Sequence, residues 1–279
     1  MNGHHKLANG VVIPDIGFGT WQIPDGEPTR NAVLAALDAG FRLIDTAAIY
    51  GNESGVGDAL RATRIPRSEI FLTTKVWNGD QGYESTLKAF STSLAKLGTD
   101  YVDLYLIHWP AVNLYPDYKQ TNKETWRAME KIYVEGKARA IGVCNFFPQH
   151  FDGFYEAAVV KPMVDQIELH PGNPAADVVA YCHAHNILVE AFSPMMKGKI
   201  FDLPILAEIA ARHGRTVPQI VLRWILDQGI VPLSKSVTPA RIQSNFDVFG
   251  FHLDCEDNQK IATLAAIGRV GSHPDKARF

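Results

Sequence analysis

The chain of 279 residues is 46% hydrophobic and 20% charged, the balance of an ordinary globular protein with enough length for a sizeable core. A net charge of -3 gives no electrostatic footprint for nucleic acid or an anionic membrane, and no apolar run reaches the length of a membrane span. Cys144, Cys182 and Cys255 are too few and too scattered for a disulfide framework or a zinc knuckle, and His4-His5 and His183/His185 lack a carboxylate or cysteine at ligand spacing, so no metal is expected. The opening Met-Asn-Gly-His-His-Lys has no apolar stretch of the secretory kind, and the expected location is the cytoplasm.

In chain order, Val11-Val12-Ile13 after Asn9-Gly10 reads as an N-terminal hairpin with an Asn-Gly turn. Strand-like runs then centre near 17–20, 41–45, 70–76, 101–107, 139–143, 163–167, 187–192 and 230–233, with helical patterns between them. In the third helix Leu87, Phe90, Leu94 and Leu97 recur at three- and four-residue steps until Gly98 stops it. Trp126, Met129, Ile132 and Tyr133 repeat the pattern before Gly136, so Trp126, like Trp224 further on, belongs to the core. The stretch before the eighth strand holds two helices, roughly 202–213 and 217–228, and the tail after Asp254 adds another helix and an irregular end. Loops at 20–28, 77–84 and 109–122 are rich in aromatics and proline, which suits pocket walls.

Eight strands alternating with helices and no linker predict one domain over residues 1–279. Its expected form is an α/β (β/α)8 TIM barrel with an N-terminal β-hairpin and two extra helices. A doubly wound dinucleotide fold is not supported. Gly17-Phe18-Gly19 lacks a third glycine at the needed spacing, and the glycines of 51–57 are out of phase.

Active sites of such barrels form where strands end. Phe41-Arg42-Leu43-Ile44 runs into Asp45, with Tyr50 five residues on; 70–74 runs into Lys75, and 104–107 into His108. Charges at the ends of apolar strands are expensive unless paired, so their repetition calls for a chemical explanation. A Lys75-Asp45 pair, partly buried beside Tyr50, is expected to lower the tyrosine pKa from about 10 and make it a proton donor near neutral pH. His108 then orients a carbonyl oxygen. The set has no obvious nucleophile or metal, and a hydride from a nicotinamide would supply what attacks the carbon.

Further along, Asn145 and Gln166 end strands five and six and are placed to hold a carboxamide by paired hydrogen bonds. Phe192 ends the seventh strand and offers a face to a flat ring, while Trp21, Trp77 and Trp109 follow strand ends and suit a pocket wall. After the eighth strand, Lys235-Ser236, a helix start near Thr238-Pro239 and Arg241 read as a phosphate seat.

These residues together resemble the aldo-keto reductases over nearly the whole length. The resemblance rests on Gly19-Thr20-Trp21, Ile44-Asp45-Thr46-Ala47 through Tyr50-Gly51-Asn52-Glu53, Thr74-Lys75-Val76-Trp77, Asp103 to Pro110, Gly142 to Phe146, Gln166 to Pro171 and Lys235 to Thr238. Gly268-Arg269-Val270 and His273-Pro274-Asp275 resemble the tail of bacterial 2,5-diketo-D-gluconate reductases. The resemblance implies a cytoplasmic monomer that uses NADPH to reduce aldehydes and ketones, small carbonyls, keto-sugars or keto acids. In it Tyr50 is the general acid, Lys75 and Asp45 tune it, and His108 orients the substrate against Trp21, Trp77 and Trp109. Asn145 and Gln166 would hold the nicotinamide carboxamide, with Phe192 against the ring. Lys235, Ser236 and Arg241 would take the 2′-phosphate region. Gly19, Thr20, Trp21, Asp45, Cys144, Ser193, Val237, Thr238 and Asn245 complete the implied cofactor contacts.

Four departures stand out against that pattern. Cys144 replaces a usual serine, Phe192 a tryptophan or tyrosine, Ser244 a glutamate, and Met195-Met196-Lys197 a Pro-Leu-Gly-type run. Two other readings of the same residues are a Schiff-base aldolase with Lys75 as nucleophile and a cofactor-binding regulatory subunit with little turnover.

Overall fold

Leu7 and Ile13, on an N-terminal hairpin, serve as a stopper. In the computed structural model, which describes residues 4–279, β1 (His4–Lys6) pairs antiparallel with β2 (Val12–Pro14). Met1–Gly3, the start of the segment read above as lacking a leader, lie outside the described residues. Gly10 takes a φ of 88° in the turn, and the Asn9 side chain accepts a hydrogen bond from the Val11 N–H at 3.1 Å. Leu7 and Ile13 are thereby turned inward, where they pack with Leu43, Phe71, Leu104 and Val231.

Those partners belong to a closed parallel barrel. Its strands are β3 (Gly17–Gly19), β4 (Leu43–Asp45), β5 (Phe71–Val76), β6 (Val102–Ile107), β7 (Ala138–Cys144), β8 (Val164–Glu168), β9 (Leu188–Phe192) and β10 (Val231–Ser234), with β10 closing on β3. Alternate residues of each strand fill the interior, and the others pack beneath the helices. The outer ring contains α1 (Glu27–Ala39), α2 (Glu53–Ala62), α3 (Tyr83–Leu97), α4 (Tyr118–Val134), α5 (Phe154–Ala157) and α6 (Ala176–Ala184). In α3 the predicted stripe is inward: Phe90 and Leu97 are fully buried, each worth roughly 1.5–3 kcal/mol, and Gly98 ends the helix at a φ of 64°. Trp126 and Trp224 are buried as expected.

Between β9 and β10 lie α7 (Pro204–His213) and α8 (Val217–Leu226), followed by α9 (Pro239–Phe246) and α10 (Cys255–Ala262). The added helices α7 and α10 are tied by buried Asp257, which accepts from His213 Nε2 at 2.7 Å and from Arg212.

Three boundaries differ from the sequence reading. The run from Phe41 pairs only from Leu43, because Gly40 caps α1 at a φ of 112° and turns the chain. The loop expected to reach 122 ends at Asp117, whose carboxylate caps α4 by accepting from the Gln120 N–H at 3.0 Å. Gln166 lies within β8, two residues short of its end, so its side chain faces the barrel interior below the rim.

Candidate active site

Register brings the four strand-end groups together. Asp45 closes β4, Lys75 is one residue from the end of β5, and His108 follows β6. Tyr50 ends the short turn Ala48–Tyr50 that leaves β4. The Lys75 ammonium donates to both Asp45 oxygens at 2.7 and 2.8 Å, to the Thr46 carbonyl at 3.0 Å and to Tyr50 Oη at 3.4 Å. The Tyr50 ring meets His108 edge-on at 5.6 Å, and His108 meets Trp77 at 5.3 Å. The ion pair is fully buried, deeper than the partial burial expected.

That depth reverses one expectation. Burial raises the Tyr50 pKa above its ordinary value, and the Lys75 charge opposes the rise without cancelling it. Lys75 does not prevail against burial, and Asp45, which sits on the same ammonium, adds to the rise. For Lys75 burial disfavours the charge, but the Asp45 carboxylate outweighs it and holds the ammonium above the usual lysine range. His108 is pushed well down, first by burial and then by Lys75, so its imidazole is neutral. The cleft therefore presents a neutral phenol and a neutral imidazole, both able to hydrogen-bond a carbonyl oxygen.

Behind them Asn145, at a φ of 64°, donates through Nδ2 to the His108 carbonyl at 3.0 Å, and its Oδ1 is buried with no partner among the described residues. Gln166 donates from Nε2 to Asp45 Oδ2 at 2.9 Å and to Glu190 Oε2 at 2.8 Å. Among the described residues its Oε1 receives only the Cys144 thiol, at 3.8 Å. The paired amides thus offer two acceptors, where the sequence reading left donor and acceptor roles open. Two acceptor oxygens fit the two N–H bonds of a primary carboxamide, as a nicotinamide carries.

A cleft of about 730 Å³ opens above this floor, within the range of small-molecule sites. Gly19, Trp21, Asp45, Tyr50, Trp77, His108 and Trp109 line one side. Cys144, Asn145, Gln166, Phe192, Ser193 and Lys235 line the other. Thr20 does not: its hydroxyl donates to the Asp45 carbonyl at 3.0 Å and supports the floor from behind. Ser236, Val237, Thr238, Arg241 and Asn245 also lie outside the lining, on the turn and helix that lead away from Lys235. Arg241 and Lys235 are exposed and have no ion-pair partner among the described residues, and Ser236 Oγ accepts from the Thr238 N–H at 3.1 Å.

Several lining residues escaped the sequence reading. Phe279 stacks on Trp77 at 5.8 Å and meets Trp109 edge-on at 5.2 Å, with its carbonyl held by Asn78 Nδ2 at 2.5 Å. The tail reaches there because buried Glu168 grips it, accepting from the Val270 and Gly271 N–H groups at 2.6 and 3.1 Å and pairing with Arg269 at 3.1 Å. A side chain at Gly271 would sit 2.5 Å from the Glu168 carboxylate, so only glycine permits that approach. Burial works against the Glu168 charge, but hydrogen bonds from His170 and the tail, with Arg269, hold its pKa down to about 2. No periodicity marks such a contact in advance. Glu190 was legible in principle, as a lone acid inside the apolar run 188–192.

Lys75 is already bound by its acceptors, which tells against the Schiff-base reading. What remains can hold an oxygen and move a proton to it, the protein's share of work in a barrel oxidoreductase whose hydride comes from a cofactor. Sequence comparison agrees: the Aldo/keto reductase family profile matches residues 15–266, and the chain belongs to that family. It is 46% identical over 274 residues to glyoxal reductase of Bacillus subtilis (strain 168), covering 98% of this chain and 97% of the relative. Methylglyoxal reductase DkgA of Escherichia coli (strain K12) is 42% identical over 275 residues, covering 97% and 96%. Among solved structures, a variant of Gox0644 in complex with NADPH superposes with a TM-score of 0.91 at 38% identity, covering all of both chains.

Proposed function

We propose that the chain is an NADPH-dependent reductase of small aldehydes and ketones, with α-oxoaldehydes of the glyoxal and methylglyoxal kind as its leading substrates. The observation that carries this reading is the Tyr50 hydroxyl 3.4 Å from the Lys75 ammonium, on the floor of a cleft walled by tryptophans. The relatives named for glyoxal and methylglyoxal, and a neighbour bound to NADPH, support substrate class and cofactor. Reduced nicotinamide, when bound, supplies the hydride.

The chain's own residues do the rest. Asn145 Oδ1 and Gln166 Oε1 accept from the carboxamide, and Phe192 offers a flat face to the ring. Trp21, Trp77 and Trp109 exclude water, and His108 and Tyr50 grip the substrate oxygen. Tyr50 then hands its proton to the developing alkoxide, and Lys75, anchored by Asp45, stabilises the phenolate left behind. The chain is read as a single domain over residues 1–279, and a monomer is the working unit that its family resemblance favours. Three free cysteines, two of them buried, suit a reducing cytoplasm.

The test is loss of reduced-nicotinamide absorbance with a panel of methylglyoxal-like aldehydes and keto-sugars. Steady turnover of methylglyoxal with NADPH is expected; no oxidation with any carbonyl would overturn the reading. Arg241, Lys235 and Ser236, beside the start of α9, are assigned to the 2′-phosphate. Arg241→Ala should weaken NADPH roughly 10- to 100-fold, the loss of one charge-assisted contact, and leave NADH within about threefold. Equal weakening of both cofactors, measured by titration, would remove Arg241 from that role.

A further inference from the structure

Strand register sets Cys144, Gln166 and Glu190 side by side on β7, β8 and β9. Gln166 and Glu190 are paired in register, and Gln166 reaches across the barrel to Asp45 on β4. Glu190 is fully buried, stands outside the cleft lining, and has one carboxyl oxygen, Oε1, without a partner among the described residues. A carboxyl so placed costs stability unless its neighbours gain from it.

The gain lies in Gln166. An amide side chain is nearly symmetric in shape, and half a turn exchanges its oxygen and nitrogen. Both N–H bonds of Gln166 are taken up by carboxyl oxygens, Asp45 at 2.9 Å and Glu190 at 2.8 Å. Turning the amide over would set Oε1 against both. Asp45 alone fixes one N–H; the second acceptor removes the remaining freedom.

We propose that Glu190 is a positioning residue that locks the Gln166 carboxamide with Oε1 toward the cleft, as a partner to Asn145 Oδ1 in receiving the nicotinamide amide. The inference rests on the NADPH reading above. The charged and titratable groups that act on Glu190 or lie in its row are Asp45, Lys75 and Cys144. Burial, then the Asp45 carboxylate, pushes its carboxyl up to about 7, and a proton on Oε1 still leaves Oε2 as the acceptor. The lock therefore holds in both protonation states.

The experiment titrates the free protein calorimetrically with NADPH and with 2′-phospho-ADP-ribose, which lacks the nicotinamide. Glu190→Leu should weaken NADPH about tenfold, the scale of one lost buried hydrogen bond, and leave 2′-phospho-ADP-ribose within about twofold. Glu190→Gln, which keeps an acceptor oxygen, should restore NADPH binding to within about threefold of wild type. Parallel loss of both ligands, unchanged NADPH binding in Glu190→Leu, or no rescue by Glu190→Gln would overturn the inference alone. Wild-type protein that binds neither ligand would overturn the functional reading and this inference together.

Discussion

Tyr50→Phe should lower turnover by about 10²- to 10⁴-fold, the usual yield of a positioned general acid, while the dissociation constant for NADPH stays within about threefold. The two effects separate because the phenol oxygen contacts Lys75, while the acceptors proposed for the carboxamide are the separate oxygens of Asn145 and Gln166. The ring itself remains, so the edge contact with His108 at 5.6 Å survives the change. Because burial raises the Tyr50 pKa, the proton-bearing form persists as pH rises through the ordinary tyrosine value of about 10. Carbonyl reduction by the wild type should accordingly show no loss of a Tyr50 proton between about pH 7 and pH 9. Near-normal turnover in Tyr50→Phe would remove the hydroxyl from the chemistry. A downward limb assigned to Tyr50 below about pH 9 would show instead that Lys75 dominates its titration.

The second large effect concerns stability. Lys75→Met leaves the Asp45 carboxylate buried, with the Gln166 amide as its remaining side-chain donor among the described residues. Breaking a buried ion pair on one side costs about 3–5 kcal/mol, because the remaining charge keeps its desolvation penalty and loses its partner. For a chain of this length that lowers the melting temperature by something on the order of 10 °C. The double variant Lys75→Met with Asp45→Asn removes the stranded charge and should recover most of the loss. Activity should not return with it, since no ammonium is left to take up the developing phenolate at Tyr50. A melting temperature in Lys75→Met equal to wild type would mean that Asp45 reaches water or a proton by some other route. Recovery of turnover in the double variant would remove Lys75 from the mechanism.

Most strand positions were readable because each barrel strand is a short apolar run bounded by turn-forming residues, and helix ends were readable where glycine stops them, as at Gly98. The quartet Asp45, Tyr50, Lys75 and His108 was readable for a related reason: polar groups that interrupt apolar runs at equivalent places must converge once the runs pair in parallel. The loop before α4 was overdrawn because Asp117 starts the helix earlier than the apolar periodicity announces. Phe279 gave no local signal, since its place depends on Glu168 holding residues about a hundred positions away.

By itself, then, the order of residues determined which segments pair, which groups gather at the strand ends, and which family the chain joins. Barrel closure decided the balance of forces within the site. It set Gln166 of β8 against Asp45 of β4, occupied both amide N–H bonds, and brought Glu190 into the same buried row. It also turned the expected fall in the Tyr50 pKa into a rise. Distances across a closed barrel, and the loss of water that closure imposes, are properties of the assembled interior that no neighbouring pair of residues carries.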